Sequence, residues 1–361
     1  MIRRCEACEP DTVSPEMPIV INTRVLSAPL TGTLRYTKEL LARWNGRAET
    51  VSPGSCSRGV SGHAWEQFIL PAKVGNRLLF CPANTGPLQS KNLVVTIHDM
   101  SVFDCPETFR PRFAAWYQFL LPRLAQRARK ILTASEFIKE RIVARTRVSA
   151  SKVVVIPLGV ASRFCPEAVT ELNAAIASLH LPSRSYILVV GSVELRKNLA
   201  RLFQAWARVQ NRVPKDLWLV VVGAGGNSRV FAGVAFDRLP DRVFLAGHVD
   251  EALIPSLFAG ALLLAYVSYY EGFGFPPLEA MASGTPVLAG NRSSLPEVVG
   301  TAGVLVDPFN VEEIVEAIGC MVEDPVLRGD LRRKGLLRAK QFNWDETARR
   351  TWEVLQTAAG S

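Results

Sequence analysis

The 361-residue chain lacks several features, and each gap removes a class of protein. No uninterrupted apolar stretch approaches the roughly 20 residues that span a bilayer, so no transmembrane helix is expected. The opening run Met1-Ile-Arg-Arg-Cys-Glu-Ala-Cys-Glu-Pro10 has no apolar core of a secretory signal, and a cytoplasmic protein is the expectation. Cysteines are few, odd in number and scattered: Cys5, Cys8, Cys56, Cys81, Cys105, Cys165 and Cys320. That pattern suits reduced thiols rather than a disulfide framework. Cys5 and Cys8 form a C-x-x-C, but no second pair or strand–helix unit follows, so the pair reads as part of a loose tail. Sequence repeats and low-complexity tracts are missing as well.

What is present is apolar and basic. Apolar residues make up 48% of the chain, enough for large cores, and the length suits about two domains. The net charge of +9 is uneven. Residues 1–165 hold 23 Lys/Arg against 12 Asp/Glu, whereas residues 166–361 hold 19 against 21. A basic first half suits an anionic partner: a membrane surface, a diphosphate-linked acceptor or nucleic acid. The alternative is a basic, solvated surface with no partner.

Short β-branched runs alternate with helical patterns along nearly the whole chain. The runs are Pro18–Asn22, Leu78–Pro82, Leu93–His98, Lys130–Ala134 and Val153–Pro157, then Tyr186–Gly191, Leu217–Gly223, Val243–Gly247, Ala261–Val267, Pro286–Ala289 and Gly303–Val306. Continuous apolar runs suit strands buried on both faces of a parallel sheet. Helical stretches include Thr33–Trp44, Ser135–Ala144, Leu199–Val213 and Val311–Val322. The alternation predicts an α/β fold of two Rossmann-like, doubly wound sheets facing across a cleft. The expected division is a tail at 1–16, a first domain at 17–165, a second at 166–343 and a terminal helix at 344–361, with Asn343 as its N-cap. Ligands of such sheets sit beyond the carboxyl ends of the strands. Every motif below follows a predicted strand.

The first motif is Glu271-Gly-Phe-Gly-Phe-Pro-Pro-Leu-Glu279. Gly272 and Gly274 permit unusual backbone angles and close approach of a ligand. Pro276 and Pro277 suit a first helical turn, whose free N–H groups and dipole favour an anion such as a diphosphate. One carboxylate lies in the loop and the other in the helix, so they can touch different parts of one extended ligand. A carboxylate also accepts well from neighbouring sugar hydroxyls. The second motif, Gly191-Ser-Val-Glu-Leu-Arg-Lys-Asn198, places Arg196 and Lys197 at a strand-to-helix turn, suited to a pyrophosphate and its charge on leaving. The third, Thr31-Gly-Thr-Leu-Arg-Tyr36, puts Gly32 where the first helix opens. The fourth is Thr96-Ile-His-Asp99 at a strand end. The fifth is Gly247-His-Val249, followed by Leu253–Leu257.

The Glu271–Glu279 segment resembles the E-x7-E signature of retaining glycosyltransferases of the GT-B fold, specifically family GT4, and the resemblance runs from Asn22 to the terminal helix. It implies a hexosyltransferase whose C-terminal helix crosses back to the first domain. It assigns Glu279 to the nucleotide ribose and Glu271 to the transferred sugar, with the backbone of Phe273, Gly274, Phe275 and Leu278 serving sugar and phosphate. Lys197 matches the family's phosphate-binding lysine. Many members carry an arginine near the position of Ser192; this sequence lacks it, so either Arg196 compensates or the phosphate contact is thinner. Gly32 matches one glycine of the family's G-I-G-R-Y loop, while the second is replaced. His98 and Asp99 would lie near the transferred sugar and the acceptor, with Asp99 either orienting the His98 imidazole or binding the acceptor. Val249 would meet the nucleobase through its backbone. The catalytic set implied is His98, Lys197 and Glu271. The chain has no D-x-D, the pair that brings a divalent ion to the diphosphate in GT-A enzymes, so no metal and no cofactor is expected.

Within the family, the Arg-Lys-Asn turn and the His-Asp loop resemble those of bacterial surface-polysaccharide mannosyltransferases. That implies GDP-mannose as donor and a glycan or polyprenyl-diphosphate-linked acceptor. The basic, aromatic stretch Thr108–Lys130 reads either as an amphipathic helix on the inner face of an anionic membrane or as a core helix kinked at Pro122. A UDP-sugar-dependent transferase and a sugar-nucleotide epimerase share the architecture. A nucleic-acid-binding protein shares only the charge, and no reader motif supports it.

Overall fold

The computed structural model describes residues 19–27, 32–54, 59–223 and 239–360. The expected tail at 1–16 with its Cys5/Cys8 pair lies outside them, as does Thr31. Twelve short strands make two sheets. The first contains β1 (Val20–Asn22), β2 (Glu49–Val51), β3 (Leu79–Cys81), β4 (Leu93–Thr96), β5 (Lys130–Thr133) and β6 (Val153–Val155), in the order β2-β1-β3-β4-β5-β6. The second contains β7 (Tyr186–Val190), β8 (Trp218–Val222), β9 (Val243–Gly247), β10 (Leu263–Tyr266), β11 (Val287–Gly290) and β12 (Val304–Val306), in the order β12-β11-β10-β7-β8-β9. Every pairing is parallel. Leu79, Phe80, Val94, Val95, Leu188, Val220 and Leu264 are fully buried, as the continuous apolar runs require.

The two orders differ in kind. The first reverses direction between β1 and β3, the flavodoxin-like pattern. The second, read from β9, runs third-second-first-fourth-fifth-sixth, the dinucleotide-fold pattern, and reverses between β7 and β10. Each reversal opens a crevice above the sheet, because the loops leaving its two strands turn to opposite faces.

Eleven of the twelve strands coincide with the apolar runs. The exception is β2, whose Glu49 and Thr50 are exposed at the sheet edge and give no apolar signal. The helix Pro111–Arg127 runs unbroken through Pro122. It buries Ala114, Leu120, Leu121, Leu124 and Ala125 despite Pro122, and keeps Arg123 stacked over an exposed Phe119 at 3.8 Å on its other side.

The last helix, Trp344–Gly360, packs on the first sheet's side of the molecule. Asn343 Oδ1 accepts from the Asp345 N–H at 2.7 Å and caps it. Thr347 Oγ1 donates to the Pro157 carbonyl (2.8 Å), Trp44 Nε1 to that of Ala348 (3.1 Å) and Arg129 to that of Ala358 (2.6 Å). At Gly159 any side chain would collide with the Trp344 backbone nitrogen, so the crossing depends on a residue without a Cβ.

Candidate active site

The reversal between β7 and β10 gathers most of the residues singled out by sequence. After β7 the chain turns at Gly191, whose φ of 149° suits glycine, and makes a 3-10 turn over Leu195–Lys197. Asn198 holds that turn against the end of β10, donating from Nδ2 to the carbonyls of Val267 (3.1 Å) and Pro308 (2.6 Å). Lys197 is thereby aimed across β10. Its Nζ lies 2.8 Å from Glu271 Oε1 and 2.7 Å from the Tyr266 hydroxyl, which itself donates to Glu271 Oε1 at 2.8 Å. Arg196 approaches Glu271 Oε2 at 3.4 Å and pairs with Glu194 at 2.8 Å.

The Glu271 loop is fixed from behind. Ser294 Oγ donates to the carbonyls of Glu271 (2.9 Å) and Phe273 (2.6 Å), and the Glu271 N–H donates to Ser293 Oγ (2.9 Å). Gly274, at φ 123°, then turns the chain into the helix Phe275–Ala282. Burial would raise the Glu271 pKa, but Lys197 and Arg196 outweigh it and hold the carboxyl below its usual range. Glu271 is therefore a buried, ionised acceptor of several donors.

Glu279 is equally buried and differently served. Its ion-pair partner among the described residues is Arg35, which reaches over from the first helix, Gly32–Trp44. The Arg35 guanidinium lies 5.4 Å from the Phe275 ring and 5.9 Å from that of Phe164. Burial raises the Glu279 pKa, and Arg35 opposes this without cancelling it. Gly32 abuts Phe275, where a Cβ would stand 3.3 Å from the ring.

His98 and Asp99 face the same loop from the other sheet. A Cβ at Gly272 would run into the His98 carbonyl, and Ser135 Oγ donates to the Gly272 carbonyl at 3.0 Å. His98 Nε2 lies 2.7 Å from the Pro82 carbonyl, which can only accept, so Nε2 carries the proton and Nδ1 is the acceptor. Burial lowers the His98 pKa and keeps the ring neutral. The sequence suggested Asp99 as a partner for this imidazole. Instead, Asp99 Oδ1 accepts from the Ser101 N–H (3.0 Å) and hydroxyl, and Pro82 orients the ring.

The cleft therefore joins Gly32, His98 and Asp99 on one wall to Arg196, Lys197, Glu271, Gly272 and Glu279 on the other. Val249 and Leu278 are core side chains and can offer only backbone here. Phe273 is also buried, packed edge-on against Phe275 and Phe342. Sequence reasoning gave no role to Arg35, Tyr266 or Glu194. Arg35 had one legible signal, its position one helical turn after Gly32.

The family described as "Glycosyl transferases group 1" matches residues 175–338, and that described as "Glycosyltransferase Family 4" matches residues 77–163. The chain is 32% identical to O-antigen chain mannosyltransferase B of Escherichia coli over 73% of its own length and 70% of the relative's. It is 31% identical to the MMP alpha-(1->4)-mannosyltransferase of Mycolicibacterium hassiacum, covering 69% of this chain and 59% of that one. Among solved structures, sucrose-phosphate synthase from Thermosynechococcus elongatus superposes with a TM-score of 0.73 at 20% identity, over 96% of this chain and 100% of that one.

Proposed function

The chain belongs to glycosyltransferase family 4, has the GT-B fold and is a hexosyltransferase, and we propose that it transfers mannose from GDP-mannose, with retention, to a polyprenyl-diphosphate-linked glycan during surface-polysaccharide assembly. The observation that carries this reading is the Lys197–Tyr266–Glu271 triangle at the strand reversal, beside the cation Arg196. Relatives named as mannosyltransferases support the choice of sugar.

In this reading the donor's diphosphate lies between the N-termini of the helices Leu199–Val209 and Phe275–Ala282 and draws Lys197 toward itself. Glu271 then exchanges the lysine for hydroxyls of the transferred hexose. Glu279 takes the ribose hydroxyls. Lys197 and Arg196 balance the charge that grows on the leaving diphosphate, a stabilisation realised mostly in the transition state. His98, neutral and with a free acceptor at Nδ1, receives a hydrogen bond from the hexose or the attacking acceptor. It is not the source of a proton. The first domain receives the acceptor. The protein works on the cytoplasmic side of the membrane, and the exposed Phe68, Ile69 and Phe119 beside Arg123 meet an anionic surface.

The test is a donor screen read by product mass. GDP-mannose is expected to add one hexose to a lipid-linked glycan acceptor. Incorporation from a UDP-sugar but not from GDP-mannose rejects the donor. Undiminished turnover in both Lys197→Ala and Glu271→Ala rejects the site.

A further inference from the structure

The other strand reversal, between β1 and β3, holds a second polar cluster that none of the sequence motifs contains. Its centre is Glu66, completely buried, in a π-helical turn (Trp65–Ile69) within the helical stretch from Gly59 to Val74. Such turns displace one residue from the regular helical register and occur often at functional sites. Asn22, the last residue of β1, donates to Glu66 Oε1 at 2.6 Å. Thr85, in the loop after β3, donates its hydroxyl to Oε2, and Arg24 approaches the same oxygen at 3.4 Å. Burial would raise the Glu66 pKa, but His63, Arg24 and Thr85 together hold it below its usual range.

Glu66 is therefore saturated and out of reach of any ligand, whereas Arg24 is not. Its one carboxylate contact is long, its side chain is 13% exposed, and its other guanidinium N–H groups have no partner among the described residues. On the same carboxylate oxygen of Glu66 stands His63, whose Nδ1 at 3.8 Å is too far for a hydrogen bond, and against the His63 ring packs Trp116. Those two rings meet edge to face with centroids 5.4 Å apart. His63 Nδ1 and Trp116 Nε1 are both buried without a hydrogen-bond partner. Buried polar atoms are nearly always paired, so two unsatisfied nitrogens on neighbouring rings point to a group that could serve both. Tyr117, packed against His63 at 6.0 Å, lies within electrostatic reach of Arg24, Glu66 and Asp99. Asp99 in turn lies against Gly272, where a Cβ would stand 3.1 Å from it.

The Arg24–Glu66 pair is neutral overall, and the remaining groups are aromatic rings with single hydrogen-bonding atoms. That is chemistry for a polyol ring rather than for a phosphate. We propose that Arg24, His63, Trp116 and Tyr117, braced by Glu66, form the seat of the acceptor's terminal sugar. Arg24 donates to its hydroxyls. Both nitrogens are sealed in this structure, so the Trp116 and His63 side chains turn apart on binding, and one further hydroxyl then accepts from Trp116 Nε1 and bonds to His63 Nδ1. The inference rests on the reading that the acceptor is a glycan.

The test uses methyl α-mannoside as the probe, with binding to the full-length protein read by saturation-transfer NMR in the presence of GDP. The wild type is expected to give a signal that falls at least fivefold in Arg24→Ala and in Trp116→Phe, which keeps an aromatic ring and removes the N–H with the five-membered ring that carries it. Arg24→Lys should fall between. Thermal melts identify any variant that has lost its fold, and Trp116→Phe keeps the test alive if Arg24→Ala does so. Equal signals from the wild type and both folded variants overturn the seat, as does no signal from the wild type. A protein that transfers hexose yet binds the probe independently of Arg24 loses the seat and keeps the function. One that binds it through Arg24 but transfers nothing from any nucleotide sugar keeps the seat and loses the function.

Discussion

The crevice above β7 and β10 and the crevice above β1 and β3 are built at equivalent places in two related sheets, yet they hold charge differently. At the first, Lys197, Arg196, Glu194 and Glu271 form an ionic network from loop residues, flanked by two helix N-termini. A diphosphate can enter by displacing one partner of each pair, and the helix dipoles supply positive potential that the side chains alone do not. At the second, the carboxylate is sealed under Asn22 and Thr85, and only Arg24 and the aromatic edges remain to meet a ligand. Position in the topology thus selects where a ligand goes. Which kind of ligand follows from whether the charges are free to exchange partners.

The strongest break in this comparison should come from Lys197→Ala. Loss of a cation that stabilises the leaving group is expected to lower kcat by about 10²–10³-fold in a transfer assay, with little change in acceptor KM. A change of similar size in acceptor KM would mean that the two crevices are not separate. Next is Gly272→Ala, whose new methyl group would push against the His98 carbonyl and force the walls apart. A displacement on the order of 1 Å can cost about 10²-fold in rate. Steady-state kinetics should show the loss for donor and acceptor together, and small-angle scattering should show a larger radius of gyration. A smaller effect is expected from Glu279→Ala: donor KM rises about tenfold, or ~1.4 kcal/mol, while kcat changes less.

The smallest effects are opposite in sign and measurable by calorimetry. Glu271 is held below the usual carboxylate range, so its stabilisation is complete above the unfolded pKa and is lost as pH falls through the folded one. Glu279 is pushed up by burial, so its ionised form costs stability, and that cost appears as pH rises toward and through the folded pKa. At pH 7, Glu271→Gln is expected to lower Tm and Glu279→Gln to raise it by a degree or two. At pH 4 the two differences should both shrink. Shifts of the same sign at pH 7 would show that the two acids share one environment after all.

Most of the fold and half of the site were legible. Strands buried on both faces announce themselves as apolar runs, and β2 escaped because an exposed edge strand of Glu49, Thr50 and Val51 has nothing to bury. Lys197, Glu271 and Glu279 were legible because glycine and proline mark the turns that present them. Arg35 was not, since its partner Glu279 lies 244 residues away and no local pattern encodes that meeting. Glu66 was hidden for a related reason. Its partners Asn22 and Arg24 at the end of β1 and Thr85 after β3 come from two segments distant in sequence, and a lone acid in an apolar helix gives no periodic sign of the company it keeps. Asp99 shows the reverse error: adjacency to His98 suggested a pair, while the backbone turn gave its carboxylate to Ser101.

The close crossing of Gly159 and Trp344 carries a consequence for how the polypeptide is made. The first sheet is complete in sequence by residue 155, but the helix that covers part of it comes only after residue 343. At a synthesis rate of about 5–20 residues per second, the ribosome takes on the order of ten to forty seconds to cover that interval. During it the apolar surfaces of Trp44 and Leu158 await the helix as a nascent chain, so the earlier half of the protein is finished last.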